Sequence, residues 1–365
     1  MGPRGTGKST WLRHTFPEAH TIDLLSEEIY QRLLAAPGLF ADELRAVDVG
    51  RWVIVDEVQR LPGLLNEVHR FIEEKRLRFV LCGSSARKLK RADVNLLAGR
   101  ALNRKMHPFV PEEIGAKFDL NDALRFGLLP IVVDASEKEE ILASYVQLYL
   151  KEEIQAEALV RNLPGFARFL PIAGLYHGQI INISNIAREA GVARTTVAGY
   201  LDILEETLLC FRVPAYEAKI RVRERKLPKW YWCDPGIVRT MKRTSGVLSP
   251  EEQGALFEGI IAQLLRAYKD YGKIYDELYY WAPSSGIQTE VDFLLAKGDH
   301  FVAVEVKSGK NFTESWCKGL RALAGLKGLQ RKIIVYPHGP VLKTEDNIEV
   351  YPFQHFSDLL PNSLF

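Results

Sequence analysis

The hydrophobic and polar positions of the chain divide it into stretches of different period. Between residues 1 and 115, short apolar runs at 20–24, 51–57 and 78–85 alternate with segments of helical spacing, one of them opened by Ser26 over 26–35. That alternation predicts an α/β layer fold built on a parallel sheet. Residues 121–176 are mostly of helical period, with a mixed charged face over 137–161, and 126–130 reads as a joint between modules. Residues 183–213 have the rhythm of two helices around Gly191, followed by a strand that could start a wing. Ser249-Pro250-Glu251 opens a long amphipathic helix to about residue 271, and strands follow at 277–281, 290–295 and 301–307.

The first residues carry the clearest chemistry. Gly2-Pro3-Arg4-Gly5-Thr6-Gly7-Lys8-Ser9-Thr10 fits the phosphate-binding pattern G-x-x-x-x-G-K-[ST]. Its glycines let backbone N–H groups curl around a polyphosphate, Lys8 reaches the β- and γ-phosphates, and Ser9 offers a hydroxyl to Mg²⁺. The helix expected over 9–14 turns its positive end toward the anion. Such a loop ordinarily follows a buried strand, and only Met1 precedes Gly2. The expectation is therefore a P-loop domain lacking its first strand, with Met1 a truncated or misassigned start.

The run 51–57 ends in Asp56-Glu57, carboxylates at the edge of a parallel sheet where ligands bind. Asp56 is placed to hold Mg²⁺, directly or through water, and Glu57 to polarise a water for attack on the γ-phosphate; the competing reading is a solvated acidic turn. The next run ends in Ser84-Ser85, where Ser84 would meet the γ-phosphate or the attacking water, or else cap a helix. Arg100, after a flexible glycine, would reach a phosphate as an arginine finger within its own chain or across a homo-oligomer, or serve as an ordinary surface arginine.

Composition adds limits. The chain has 365 residues, long enough for two to four domains, with 47% hydrophobic and 26% charged residues and a net charge of +2. That charge argues against a wholesale polyanion coat and permits local basic patches. Four cysteines (Cys82, Cys210, Cys233, Cys317) lie far apart with no zinc spacing and read as reduced thiols. No apolar run approaches a membrane span, so a cytoplasmic protein without a membrane partner is expected.

Taken in order, the segments GPRGTGKST, VIVDEVQ, LCGSSARKL, LLAGRAL and HPFVPEEIG resemble an AAA-type P-loop ATPase. The resemblance implies ATP and Mg²⁺ as cofactors. It also implies a helical and winged-helix region and then a restriction-endonuclease-like C-terminus. The organisation expected is 1–115 ATPase, 116–176 helical connector, 177–245 winged helix with a basic linker, and 246–365 nuclease-like α/β domain.

In the winged-helix reading the second helix presents Arg194, Thr195, Thr196 and Tyr200 to solvent as a groove-reading face, or the unit packs or docks protein. Lys219, Arg221, Arg223, Arg225, Lys226 and Lys229, next to Trp230, Tyr231 and Trp232, suit a phosphate backbone and stacked bases, or form a solvated loop. Asp234 reads as a turn or helix cap. In the last segment Glu305 and Lys307 share one strand face, and an acid on a neighbouring strand, Asp292, completes the layout of the PD-(D/E)xK nucleases. Asp292, Glu305 and Glu258 would ligate Mg²⁺, and Lys307 would orient water and steady developing charge. An amphipathic hairpin with an ion pair on its wet face would look the same. Two functions follow: an ATPase coupled to DNA handling, or a nucleotide-gated regulatory or binding protein whose nuclease fold is inert.

Overall fold

The structure is a computed structural model that describes residues 1–83, 101–149, 163–217, 226–283, 289–361 and 364–365. These form two compact units: residues 1–107 with 203–209, and residues 108–202 with 210–365.

The first unit is built on a parallel three-stranded sheet, β1 (His20–Asp23), β2 (Trp52–Asp56) and β3 (Arg78–Leu81), in the order β1-β2-β3. Ile22 pairs with Val55, and Val55 with Leu81. Side chains along a strand alternate between faces, and β2 is apolar on both because both are covered. Val53 and Val55 join a core with α2 (Glu27–Ala35), α3 (Gly38–Ala46) and α4 (Leu64–Lys75) through Leu33, Phe40, Leu44, Val68 and Phe71. Ile54 points the other way, onto Leu12 of α1 (Lys8–Thr15) and Cys82. Burying such side chains contributes about 1.5–3 kcal/mol each. Ser26 caps α2 by accepting a hydrogen bond from the Ile29 N–H.

The second unit holds the helices α5 (Leu120–Phe126), α6 (Lys138–Ser144), α7 (Leu163–Leu175), α8 (Ile183–Ala190), α9 (Arg194–Glu206, whose last turn groups with the first unit), α10 (Pro235–Lys242), α11 (Pro250–Gly272) and α12 (Phe353–Leu359). A small antiparallel sheet runs β4 (Gln179–Ile180), β6 (Lys229–Trp232), β5 (Cys210–Val213). A six-stranded mixed sheet has the order β11-β12-β10-β9-β8-β7, from β7 (Glu277–Trp281), β8 (Val291–Lys297), β9 (His300–Val306), β10 (Leu329–Tyr336), β11 (Leu342–Lys343) and β12 (Ile348–Pro352). α11 starts on a capping box in which Ser249 and Glu252 satisfy each other's backbone N–H, and it buries Phe257, Ile260, Ile261, Leu264 and Leu265.

The segment read as a joint at 126–130 is instead pinned inside the second unit. Asp234 caps α10, accepting from the Ile237 N–H at 3.2 Å, as its position before Pro235 implies. Its other carboxylate oxygen accepts from the Leu128 N–H at 2.6 Å. Gly127, with φ of 80°, leaves the room: a Cβ there would lie 1.9 Å from Asp234 Oδ1. A second difference concerns Tyr200. The helical period puts it on the outer face of α9, but its ring is buried against Phe166 and Phe169, at centroid distances of 5.1 and 5.2 Å. Arg194 and Thr195 are exposed as expected. α8 begins at Ile183 as read and is capped by Asn182, which accepts from the N–H groups of Ser184 and Asn185.

His177 is fully enclosed next to β6, and its Nδ1 accepts from the Trp232 N–H at 3.1 Å. Burial, aided by Lys242, pushes its pKa down to about 3. The unfolded chain therefore takes a proton that the folded chain refuses, and stability is lost as the pH falls from about 6.5 toward 3. At pH 5 the expected loss from this residue is about 2 kcal/mol, at 1.36 kcal/mol per pH unit. Denaturant unfolding at pH 7 and pH 5 checks this: His177→Gln should lack that part of the decline, and an equal decline in both proteins would refute it.

Candidate functional sites

In the first unit the loop before α1 turns through Gly5 and Gly7, both at positive φ (79° and 78°), where a side chain would be strained. Gly2, Pro3 and Thr6 are buried, whereas Arg4 and Thr10 are exposed. Thr6 Oγ1 donates to the Pro3 carbonyl at 2.7 Å and fixes the curl of the loop. Lys8 Nζ lies across it, donating to the carbonyls of Gly2 and Pro3 at 2.8 Å each. Because α1 starts at Lys8 and its first N–H groups lack helical partners, the loop has a donor-lined, electropositive end. The Met1 carbonyl accepts from the Met106 N–H at 2.7 Å, and the Met1 amino group donates to the Arg104 carbonyl at 2.8 Å.

The sheet edge supplies the acids. Ser9 Oγ donates to Asp56 Oδ2 at 2.5 Å, so the hydroxyl of the loop and the carboxylate of β2, 47 positions apart, meet at one point. Asp56 Oδ1 also accepts from the Glu57 N–H at 3.0 Å. Glu57 has left-handed backbone geometry, φ 54°, and its carboxylate accepts from Gln59 Nε2. Cys82 lies beside Asp56, and burial first and the carboxylate second push its thiol up to about 12, so it stays protonated. Ser84 and Arg100 lie outside the described residues, as do Lys219, Arg221, Arg223 and Arg225.

The second unit brings Glu258, Asp292, Glu305 and Lys307 together. Phe293 pairs with Val304 across β8 and β9, and one step along this register sets Asp292 opposite Glu305. Asp292 Oδ2 accepts from the Val306 N–H at 2.9 Å, and Lys307 Nζ donates to Glu305 Oε1 at 2.5 Å. Three residues beside them were missed or misread: Lys229, Tyr231 and Glu290. Lys229 is no groove-facing base; its side chain is only 4% exposed, and its Nζ lies 3.0 Å from Glu258, 3.2 Å from Asp292 and 3.4 Å from Glu290. Tyr231 donates its hydroxyl to Glu258 Oε1 at 2.5 Å. The one sequence signal for Lys229 is its place at the head of the apolar run Lys-Trp-Tyr-Trp, where a buried ammonium would need carboxylates, but which carboxylates it meets follows only from the strand pairing.

Burial sets the charges of this cluster. It opposes the charge on Lys229, but Glu258, Tyr231, Asp292 and Glu290 together outweigh it and hold the ammonium well above its ordinary value. Burial, with Asp292 second, pushes Glu258 up to about 7, and the same two causes hold Glu305 well above the usual carboxylate range. Burial likewise opposes the charge on Lys307, and Glu305 and Asp292 outweigh it and hold that ammonium above its ordinary value. A divalent ion does not fit between these acids as they stand, because Glu258 and Asp292 both turn an oxygen to the Lys229 ammonium. Among the described residues no group of three His, Cys, Asp or Glu side chains is arranged to hold a metal ion.

The model of an AAA domain matches residues 1–115. Two families described as domains of unknown function, DUF8612 and DUF4143, match residues 117–247 and 253–356. Uncharacterized proteins of Mycobacterium bovis and Mycobacterium tuberculosis are each 26% identical over 360 residues, covering 96% of this chain and 78% of theirs. An uncharacterized protein of Haemophilus influenzae is 24% identical over 275 residues, covering 70% of this chain and 65% of its own. A Vibrio cholerae protein of known crystal structure is 12% identical and overlaps with a TM-score of 0.24, covering 87% of this chain and 90% of that one. No helix among the described residues is long and apolar enough to cross a membrane. Its N-terminal third, residues 1–115, is thus similar to the AAA domain, the part of the chain that resembles a nucleotide-binding ATPase.

Proposed function

We propose that the protein is a Mg²⁺-dependent ATPase whose C-terminal unit has the layout of a PD-(D/E)xK nuclease without its cutting activity. The observation that carries the first half is the contact of Ser9 Oγ with Asp56 Oδ2 at 2.5 Å beneath the Gly2–Thr10 loop. A hydroxyl and a carboxylate at one point are the protein's share of a Mg²⁺ site, since this ion takes one or two such groups and completes its shell with phosphate oxygens and water. When bound, Mg²⁺ draws charge from the β- and γ-phosphates. The backbone N–H groups of Gly5 to Ser9 would line the phosphates, and Lys8 would leave the Gly2 and Pro3 carbonyls for a more strongly charged acceptor. Glu57 would hold the attacking water and accept its proton. Lys8→Ala is expected to weaken ATP binding by roughly 10- to 100-fold, the worth of one charge-assisted contact of 1.5–3 kcal/mol. Calorimetric titration with a non-hydrolysable analogue checks it, and unchanged affinity would overturn the site.

The second half favours the regulatory or binding reading over the cleaving one, because Lys229 lies between Glu258 and Asp292. The helix pair α8–α9, with Arg194 and Thr195 exposed, fits a winged helix that contacts DNA or protein. Full-length protein with Mg²⁺ or Mn²⁺ is expected to leave single-stranded, duplex and branched DNA uncut. Cleavage that Lys307→Ala abolishes would overturn this reading.

A further inference from the structure

In a site of this layout the centre between the acids belongs to a metal, and here the chain fills it with one of its own side chains. We propose that Lys229 is the resident cation of the cluster: its tethered ammonium holds the place between Glu258 and Asp292 that a divalent ion would take, and its removal opens a divalent-cation site there. The inference rests on the nuclease-like reading of Glu258, Asp292, Glu305 and Lys307. It goes further by assigning a role to a residue outside that set.

The stoichiometry fits. An ammonium has three N–H donors and no acceptor, and three carboxylates, those of Glu258, Asp292 and Glu290, lie within 3.0–3.4 Å of this one. The position is also fixed. Lys229 sits in β6, the middle strand of its sheet, paired with Ile180 on one side and Val213 on the other. A lysine at a sheet margin would carry its head to water, but this one, 4% exposed, leaves the sheet inward. A tethered cation loses no translational freedom when it occupies the site, whereas a free ion would first have to displace a charge already bonded on three sides.

A second observation is that one acid of the cluster has an oxygen left over. Glu305 Oε2 is buried with no hydrogen-bond partner, on the strand next to Asp292. Such an orphaned oxygen in a native interior calls for an explanation. With the ammonium gone, the oxygens of Glu258, Asp292 and Glu290 that it holds would lose their shared cation, with the unpartnered oxygen of Glu305 on the strand beside them. Carboxylate oxygens are what Mg²⁺ and Mn²⁺ take.

The test uses nucleotide-free full-length protein and Mn²⁺ as the probe, followed by electron paramagnetic resonance and calorimetry. Wild type is expected to show no Mn²⁺ site that Asp292→Asn removes. Lys229→Ala is expected to gain about one Mn²⁺ per chain, and Lys229→Ala/Asp292→Asn to lose it again. Lys229→Met, which keeps the length of the stem within the strand, serves if the alanine variant does not unfold cooperatively. A wild-type Mn²⁺ site lost in Asp292→Asn would overturn the proposal without any Lys229 variant, and so would a folded Lys229 variant that gains none. The DNA assay above reads something else: cleavage by wild type sinks the inert reading, while the Mn²⁺ titration judges Lys229.

Discussion

Replacing Glu57 with glutamine is expected to leave ATP bound and to slow its hydrolysis by on the order of 10²–10⁴-fold, the usual worth of a positioned general base. The substitution removes one capacity only. Gln59 Nε2 donates to the Glu57 carboxylate, and a glutamine amide oxygen can accept the same bond, so the side chain keeps its place. The Glu57 N–H still donates to Asp56 Oδ1, and the Ser9–Asp56 contact is untouched. What is lost is the ability to take a proton from water. The backbone supports this assignment: Glu57 is a non-glycine residue at φ 54°, a conformation that costs on the order of 1–3 kcal/mol and tends to be kept where geometry serves chemistry. Steady-state phosphate release beside a binding titration decides it. Hydrolysis at the wild-type rate would remove Glu57 from the reaction, and loss of binding would show that its role is to hold the loop.

The largest expected loss of stability comes from Asp234→Ala, about 1.5–5 kcal/mol. One part is the cap of α10, worth about 0.5–2 kcal/mol. The other is the Leu128 N–H, buried and left without an acceptor, which costs about 1–3 kcal/mol more. Burial raises the Asp234 carboxyl to about 6, so its contribution is greatest below its ordinary value of 3.8 and declines as the pH rises through 6. Asp234→Asn separates the parts: its amide oxygen can still cap Ile237, but its NH₂ would meet the Leu128 N–H donor to donor. Denaturant unfolding should rank wild type above Asp234→Asn and Asp234→Asn above Asp234→Ala. Equal midpoints for the two variants would mean that the cap contributes nothing, and an Asp234→Asn midpoint equal to that of wild type would mean that the Leu128 bond contributes nothing.

Much of the first unit was legible because its signals are local. A phosphate loop is a contiguous motif, and a parallel strand buried on both faces reads as an unbroken apolar run, so Trp52–Asp56 stands where that pattern puts it, and the half-buried Arg78–Leu81 lies beside it in the stretch read as a strand. The same holds for Glu277–Trp281 and for the capped start of α11. What could not be read depends on distant partners. Tyr200 lies on the outer side of α9 by period alone, and only α7, some thirty residues away, makes that side an inner one. Lys229 belongs by sequence to a run of basic residues. Strand pairing, not local composition, turns it from a solvent-facing charge into a buried counter-ion. The 126–130 segment has the residues of a flexible joint, and its rigidity comes from one carboxylate, 106 positions on from Leu128.

That last contact also has a meaning in time. A ribosome adds about 5–20 residues per second, so Leu128 waits roughly 5–20 s for Asp234 to be made. During that interval the helices before it can form, but the bond that fixes the turn between them cannot. The second unit is therefore expected to close late, as a whole, and a slow-codon stretch between the two would lengthen the exposure of its apolar faces to chaperones.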